Sequence, residues 1–273
     1  MLYLIATPIG NLGDITYRAV ETLKSCDEVW CEDTRQTAKL LNHLDIKKPL
    51  VSCHEYTQKE KAPQLLEKLR AGFDIAYVSD AGMPGISDPG AVLVQACLEA
   101  DLPYTVLPGP SAVLTAAVLS GLPLDRFTFF GFLPREGAER KQALADVAVC
   151  GCTVILYESP HRVKETLSDV LAAAGDCPCA LVRELTKVHE SCQRGTISEV
   201  LSTLPGEVKG ECVLLFSIPQ KTEAASTEED LNVLLLKLMD HMTLKDAARE
   251  ASEALKLPKK QVYARALELK SEQ

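Results

Sequence analysis

Two short runs concentrate the side chains able to move a proton or hold an anion. The first, YESPHR (residues 157–162), sets Glu158 beside His161 and Arg162; the second, RELTKVHE (residues 183–190), holds Glu184, Lys187 and Glu190. A group of this kind within reach of a reacting hydroxyl can take its proton, and such help is worth about 10²–10⁴-fold in rate. Lys187 would need a lowered pKa for that task, which burial beside Arg183 could provide. The same residues have a plainer use. Arg162 and Lys187 could neutralise phosphates, and Arg183 could pair with Glu158 or Glu184 in a structural ion-pair network. EDTR (residues 32–35) poses the same choice, with Arg35 either a phosphate anchor or the partner of Glu32 and Asp33. Residue types alone leave both uses open and single out no base.

These runs leave or flank apolar, β-rich segments. Candidate strands at 2–6, 28–31, 50–53, 75–79 and 104–107 alternate with helix-like stretches such as 34–44 and 60–71, the order of βαβ units and a parallel sheet. A second set begins at FTFFGF, from Phe127, and continues through 153–157, 179–184 and 212–218. The expected organisation is an α/β domain at 1–115, a second α/β domain at 116–219, and a tail at 220–273. In the tail, a polar linker (QKTEAASTEED) precedes two or three short helices resembling a helix-turn-helix, with Thr243 as an N-cap and Pro258 in the first turn of the last helix.

In a parallel sheet the loops leaving the carboxyl ends of the strands gather at one edge, where ligands bind. Eleven of the thirty Gly and Pro residues fall in three such loops, residues 7–13, 80–90 and 108–110. Bare backbone there lets a ligand approach main-chain groups. The charges on this edge are mainly Asp80 and Asp88. That composition suits a nucleoside-containing ligand, with an acid to accept from a hydroxyl or ammonium.

Several classes are excluded or disfavoured. The fifteen glycines never form G-x-G, and Gly85–Gly90 has P-loop spacing but continues with Ala91 and Val92 instead of Lys and Ser/Thr. Ser111 follows Gly109 as in a nucleophile elbow, yet Val113 stands where the second Gly belongs. Cys150/Cys152 and Cys177/Cys179 are C-x-C pairs, not zinc spacing, so no metal is expected. Ten cysteines and no basic residue before Arg18 read as reduced thiols of a cytoplasmic protein without a signal peptide. The longest uncharged stretch, 102–124, carries four prolines, so no membrane helix is expected. Net charge is -9, and residues 1–219 (20 Lys/Arg against 28 Asp/Glu) and 220–273 (9 against 10) are both acidic. Broad, sequence-blind coating of RNA is thereby excluded.

TPIGNLGDIT, EDTRQT, VSDAGMPGISDPG, LPGPSA, GFLPR, LYESPHR, RELTKVHE and RGTI occur in the order seen in the tetrapyrrole methylase superfamily, in the branch that methylates small-subunit ribosomal RNA. The resemblance covers about residues 1–218 and continues more weakly through the tail. It implies two α/β domains of the class III methyltransferase fold with S-adenosylmethionine in the cleft between them, and a homodimer. The implied activity is 2'-O-methylation of a cytidine in the decoding region of 16S rRNA, on naked RNA or the assembled subunit. Superfamily cofactor contacts fall here on Pro8, Asp80, Met83, Ser111, Ala112, Tyr157 and Leu185. Met83 replaces the family's usual Thr, and Ser191 replaces a common second Glu. Glu158, Glu184 and Lys187 are then the candidate catalytic residues.

For the RNA, the run GFLPREGAERKQ is the most suggestive. Arg135, Arg140 and Lys141 follow a strand bearing Phe129, Phe130 and Phe132, and cations beside aromatics bind phosphates and stack bases. Arg35 and Arg162 complete the candidate set of cations. The plainer reading buries part of the phenylalanine run, Phe129 first. Lys256, Lys259, Lys260 and Arg265 form a local basic face in the tail, equally readable as a solvated helix surface. Two other functions fit the scaffold. A small-molecule methyltransferase would not need the RNA-facing set, and a ligand-sensing nucleic-acid-binding regulator would lose all function with its tail.

Overall fold

The computed structural model describes residues 1–220, 228–255 and 257–271. Residues 221–227 of the expected linker, and Lys256 of the expected basic face, lie outside them. The chain divides into two compact units, Met1–Pro219 and Gln220–Gln273.

The first half of the larger unit alternates strand and helix: β1 (Leu2–Ile5), α1 (Tyr17–Ser25), β2 (Glu28–Cys31), α2 (Thr34–His43), β3 (Leu50–Ser52), α3 (Gln58–Arg70), β4 (Ile75–Val78), α4 (Ala91–Glu99) and β5 (Tyr104–Leu107). The strands form a parallel sheet ordered β3-β2-β4-β1-β5. A strand covered by helices on both faces is apolar throughout, and Ile75, Ala76, Tyr77 and Val78 are all buried. Tyr77 satisfies its hydroxyl on the Cys53 carbonyl at 2.9 Å. Side-chain caps start the helices: Thr16 accepts from the Ala19 N–H at 3.1 Å, and Asp33 from the Arg35 N–H at 2.8 Å.

Next come α5 (Ala112–Ser120), β6 (Phe127–Phe132), α6 (Gly137–Ala148), β7 (Thr153–Glu158), α7 (Val163–Ala174), β8 (Pro178–Arg183), β9 (Ser191–Thr196), α8 (Ile197–Thr203) and β10 (Cys212–Ser217). Their sheet runs β6-β7-β10-β8-β9, and only β6 and β7 pair in parallel. The alternation of the first half thus does not carry over into a second parallel sheet. Its edge strand β9 (SCQRGT) has no apolar alternation, because none of its residues is fully buried. One face of this sheet packs on α6, α7 and α8 through Leu214, Phe216, Val147, Leu167 and Val200. Fully burying a side chain of this size contributes about 1.5–3 kcal/mol. The other face receives α5, whose Val113, Ala116 and Ala117 cluster with Ile155, Ala180, Val182 and Leu215. Ile9, from the loop after β1, joins that cluster and ties the two sheets together.

The smaller unit holds α9 (Glu228–Met239), α10 (Leu244–Ala254) and α11 (Lys259–Ser271) around Leu231, Leu235, Ala248, Ala251, Val262 and Ala266. Thr243 caps α10, accepting from the Asp246 N–H at 3.3 Å. Pro258 immediately precedes α11, and its carbonyl accepts from the Gln261 N–H at 2.9 Å.

Candidate functional site

The loop after β4 carries much of the site, and its shape is fixed by backbone bonds. Thr7 and Gly82 exchange two of them, at 2.9 and 3.0 Å, joining it to the loop after β1. Gly85 N–H donates to the Pro89 carbonyl at 3.0 Å, and Gln58 accepts from the Gly90 N–H at 2.7 Å. The turn needs positive φ at Gly82, Gly85 and Gly90, and Ser87 also sits there, at φ 59°. Opposite it, a bulge between Phe129 and Gly131 lets β6 come close, and a Cβ on Gly131 would lie 3.2 Å from the Ser87 hydroxyl.

Between these loops lies a cavity of about 390 Å³. Ile9, Gly82, Met83, Asp88, Ser111 and Ala112 line it from the first half, and Phe132, Tyr157, Glu158, Glu211 and Val213 from the second. Ser111 caps α5 only loosely, at 3.5 Å from the Leu114 N–H, so the positive end of that helix opens on the cavity. Tyr157 reaches across from β7 toward the first turn of α5, near the Val113 N–H. Burial raises its pKa to about 12, with nearby Asp88 adding to the shift. Phe129 and Phe132 pack around its ring at 4.9 and 5.5 Å between centroids. Phe129 is half-buried in the α5 cluster, as the plainer reading has it, whereas Phe132 is 58% exposed on the cavity.

The sequence-derived cofactor residues divide on this geometry. Met83, Ser111, Ala112 and Tyr157 line the cavity; Pro8, Asp80 and Leu185 do not. Pro8 lies between Thr7 and the lining residue Ile9. Asp80 braces two loops instead, accepting from the Asp33 N–H at 3.1 Å, and partial burial raises its pKa. Leu185 is buried beside Ile9.

Of the candidate catalytic residues, Glu158 lines the cavity and is only 3% exposed. Its oxygens are already engaged, one by the Ser159 N–H at 2.8 Å and the other by the Thr166 hydroxyl at 2.6 Å. Glu184 accepts from the Glu211 N–H at 2.9 Å and from Lys187 at 2.9 Å, and these bonds hold its carboxyl below the usual range. Lys187 also reaches Glu211, at 3.0 Å. Burial works against its charge, but the bonds to Glu184 and Glu211 outweigh that and raise its pKa. The lowered pKa that a lysine base requires is therefore not what this site provides. The loop is strained as well as braced. Glu184 and Thr186 have φ of 50° and 64°, and the Thr186 hydroxyl is buried without a partner.

Two of the five candidate RNA cations are structural. Arg140 is 6% exposed and donates to Asp169 at 2.6 and 3.0 Å, Thr166 at 3.1 Å and the Pro134 carbonyl at 3.0 Å. Arg162 donates to the Leu133 and Pro134 carbonyls and sits 3.6 Å from Glu158. Arg162 and one arm of Arg140 pin the loop after β6, and the rest of the Arg140 guanidinium holds α7. Arg135 and Lys141 are exposed. Arg35 is exposed too, clamped on Asp33 at 2.7 Å, and that bond draws the Asp33 carboxyl down to about 2.

The site also contains residues that the motifs did not mark. Glu211 and Val213, at the start of β10, carry no local signal, and Phe132 reads as one more apolar residue in a strand. Asp88 stood out only as one of few charges on its edge. Among the described residues, no group of three or more His, Cys, Asp or Glu is placed to hold a metal ion. Nor, among them, is any helix long and apolar enough to cross a membrane.

The residues present fit S-adenosylmethionine. Apolar walls and a Tyr–Phe pair suit a nucleoside, the N-terminal end of α5 suits a carboxylate, and an acidic side chain suits a sulfonium or ammonium. In the smaller unit, Lys245 and Arg249 of α10 and Lys259, Lys260 and Tyr263 of α11 line a separate groove of about 620 Å³.

Comparison with known proteins adds the following. The family model of tetrapyrrole (corrin/porphyrin) methylases matches residues 1–201, and that of the RsmI C-terminal HTH domain matches residues 225–270. A protein of Synechocystis sp. named ribosomal RNA small subunit methyltransferase I is 44% identical over 100% of this chain and 99% of its own. One of the same name from Bacillus subtilis is 42% identical, over 96% of this chain and 92% of its own. Among solved structures, cobalt precorrin-4 methyltransferase superposes with TM-score 0.58 at 22% identity, covering 79% of this chain and 94% of that one. Uroporphyrin-III C-methyltransferase from Thermus thermophilus gives 0.56 at 22%, covering 79% and 96%. At such identity these structures speak for the fold alone.

Proposed function

The chain belongs to the tetrapyrrole methylase family, in the ribosomal RNA small subunit methyltransferase I group, and from that premise we propose that it methylates the ribose 2' oxygen of a cytidine in the decoding region of 16S ribosomal RNA. It is a methyltransferase, and S-adenosylmethionine is its methyl donor in the 390 Å³ cavity. The observation that carries the RNA reading is the extent of similarity. The Synechocystis relative matches through the helical tail, whereas the tetrapyrrole enzymes cover about the share that Met1–Pro219 occupies.

When bound, the donor supplies an activated methyl group. This chain's residues bind and orient. Met83, Ser111, Ala112 and Tyr157 hold the donor, and Pro8, Asp80 and Leu185 support the loops that carry them. Holding two reactants in line contributes about 7–11 kcal/mol toward such a displacement. Phe132 shields the cavity from water. Glu158, Glu184 and Lys187 keep its walls in place, with Lys187 as a fixed cation. Arg35, Arg135 and Lys141 meet phosphates at the surface. Ten free thiols suit a reducing cytoplasm. Val106, Leu114 and Val118 leave an apolar face exposed on β5 and α5, which suits a homodimer.

The test is to supply labelled S-adenosylmethionine with naked 16S RNA or assembled small subunits and to locate the label by nuclease mapping. Label on one cytidine ribose is the expected result. Label on a base, or no label on ribose in either substrate, sinks the reading.

The tail groove belongs to the same reading. Four cations against one lining acid, Asp246 at 3.5 Å from Arg249, stand beside Tyr263 and suit a phosphate backbone with a base stacked against the ring. Exchanging Lys245 and Lys260 for alanine is expected to weaken RNA binding. The slope of log affinity against log salt should fall by about one per lysine, with cofactor binding unchanged. An unaltered slope would show that the groove meets no phosphate.

A further inference from the structure

The carboxylates around the cavity differ in what they are already bonded to. Glu158 is taken by Ser159 and Thr166, and Glu211 and Glu184 share Lys187. Asp88 lines the same cavity, half-buried, and has no hydrogen-bond or ion-pair partner among the described residues. Its backbone is nonetheless held. Ser87 before it occupies the left-handed region, Pro89 after it accepts from Gly85, and Gly90 is bonded to Gln58. A rigid loop that delivers one unpaired carboxylate to a cavity is an arrangement for meeting a ligand, since an unused acid is more cheaply left in water.

We propose that Asp88 is the general base of the reaction, taking the proton of the ribose 2' hydroxyl as that oxygen accepts the methyl group. The inference rests on the reading that this cavity methylates a ribose. The hydroxyl's O–H bond breaks and its proton passes to an Asp88 oxygen. The O–CH₃ bond forms, and the electron pair of the broken methyl–sulfur bond stays on the sulfur, which departs as a neutral thioether. Asp88 then releases the proton to solvent. Its surroundings suit the task. Burial first, then the charges of Glu32 after β2 and Asp80 after β4, push its carboxyl up to about 6. Tyr77 on β4 and Tyr157 on β7 also face it, and both hold their protons more tightly for its presence. Arg35 and His54 act on Asp80 and Glu32, but among the described residues no cation pulls the Asp88 carboxyl back down, so it is basic enough to accept a proton and still ionised near neutral pH. Glu158, the acid that the motifs favoured, is spent on its own turn.

The test uses the full-length protein with the RNA substrate and labelled donor, comparing wild type, Asp88→Asn and Asp88→Glu. Three readouts are taken: kcat across about pH 5 to 8, donor affinity by calorimetry, and titration of the Asp88 carboxyl by NMR with labelled aspartate and no donor present. Asp88→Asn is expected to lose about 10²–10⁴-fold in kcat while keeping its melting temperature and its donor affinity within about twofold. The wild-type kcat should show an acid limb at or below the pH of the free carboxyl's NMR titration, since a bound sulfonium favours the ionised acid; Asp88→Asn should lack both, and Asp88→Glu should recover part of the rate. A variant within about threefold of wild type, an acid limb that survives in Asp88→Asn, or a carboxyl titrating well below pH 5 overturns the proposal. So does weakened donor binding at full kcat, which would make Asp88 a donor contact. If wild type puts no label on ribose, the functional reading falls and the base falls with it. An active wild type with an indifferent Asp88→Asn removes the base alone.

Discussion

Arg140→Ala is expected to destabilise Met1–Pro219 by about 3 kcal/mol, the low end of the usual cost of removing one partner from a buried charge pair, because Asp169 keeps some contact with water. The guanidinium joins α6 to α7 through Asp169 and Thr166, and the Thr166 hydroxyl in turn holds Glu158 at the cavity wall. Truncation leaves Asp169, one-third exposed, without its cation, and the Pro134 carbonyl with Arg162 as its remaining donor. Differential scanning calorimetry should show the larger unit melting lower by on the order of 10 °C. Arg135→Ala and Lys141→Ala, beside it in sequence, should leave the melting temperature within about 1 °C, because surface changes are usually within about 0.5 kcal/mol. On the RNA side the order reverses. The exposed pair should lower affinity and salt dependence, and any loss in Arg140→Ala should track its folded fraction. If Arg140→Ala melts like wild type but binds RNA poorly, the guanidinium serves the RNA after all.

That contrast shows where the sequence was legible. GAERKQ reads as a basic cluster, but Arg140 and Lys141 stand about 100° apart on a helix, so adjacent cations face different ways. The discriminating signal lay in α6 itself. Arg140 falls on the inward stripe with Leu144 and Val147, where an apolar residue belongs, and an arginine on such a stripe is paired. The first sheet could be read strand by strand because its strands are short, apolar and bounded by Gly- and Pro-rich loops. Met83, Ser111, Ala112 and Tyr157 could be placed because family strings carry them. β9 could not, since a polar edge strand has neither alternation nor a hydrophobic run. Glu211 and Asp88 needed the fold: their roles depend on what other loops bond to, and spacing within one segment is silent on that. Lys187 shows the same limit in its chemistry, because the two carboxylates that keep it charged stand three residues before it and twenty-four after.

Gly10→Ala is expected to open the seam between the two halves. Gly10 follows the lining residue Ile9. A Cβ placed on it would lie 2.9 Å from the Leu185 carbonyl oxygen, 2.8 Å from the Thr186 hydroxyl and 2.6 Å from Cγ of Lys187. Real Cβ atoms do not come so near backbone. The Leu185 carbonyl cannot retreat easily either, because Glu184 is bonded to Glu211 on one side and Thr186 N–H to Glu190 at 2.7 Å on the other. The strain must then be relieved by moving the loop after β1 or by breaking the Lys187 contacts, at a cost of about 1–3 kcal/mol. Both routes shift walls of the cavity, Ile9 in the first case and Glu211 in the second. Donor affinity by calorimetry should fall about tenfold or more, since each 1.4 kcal/mol is a factor of ten. Gly206→Ala, where an added Cβ meets nothing within 4 Å, should bind the donor as wild type does. Equal affinity in the two variants would mean that the seam is slack, and the strained loop at Glu184 and Thr186 would then have no part in shaping the site.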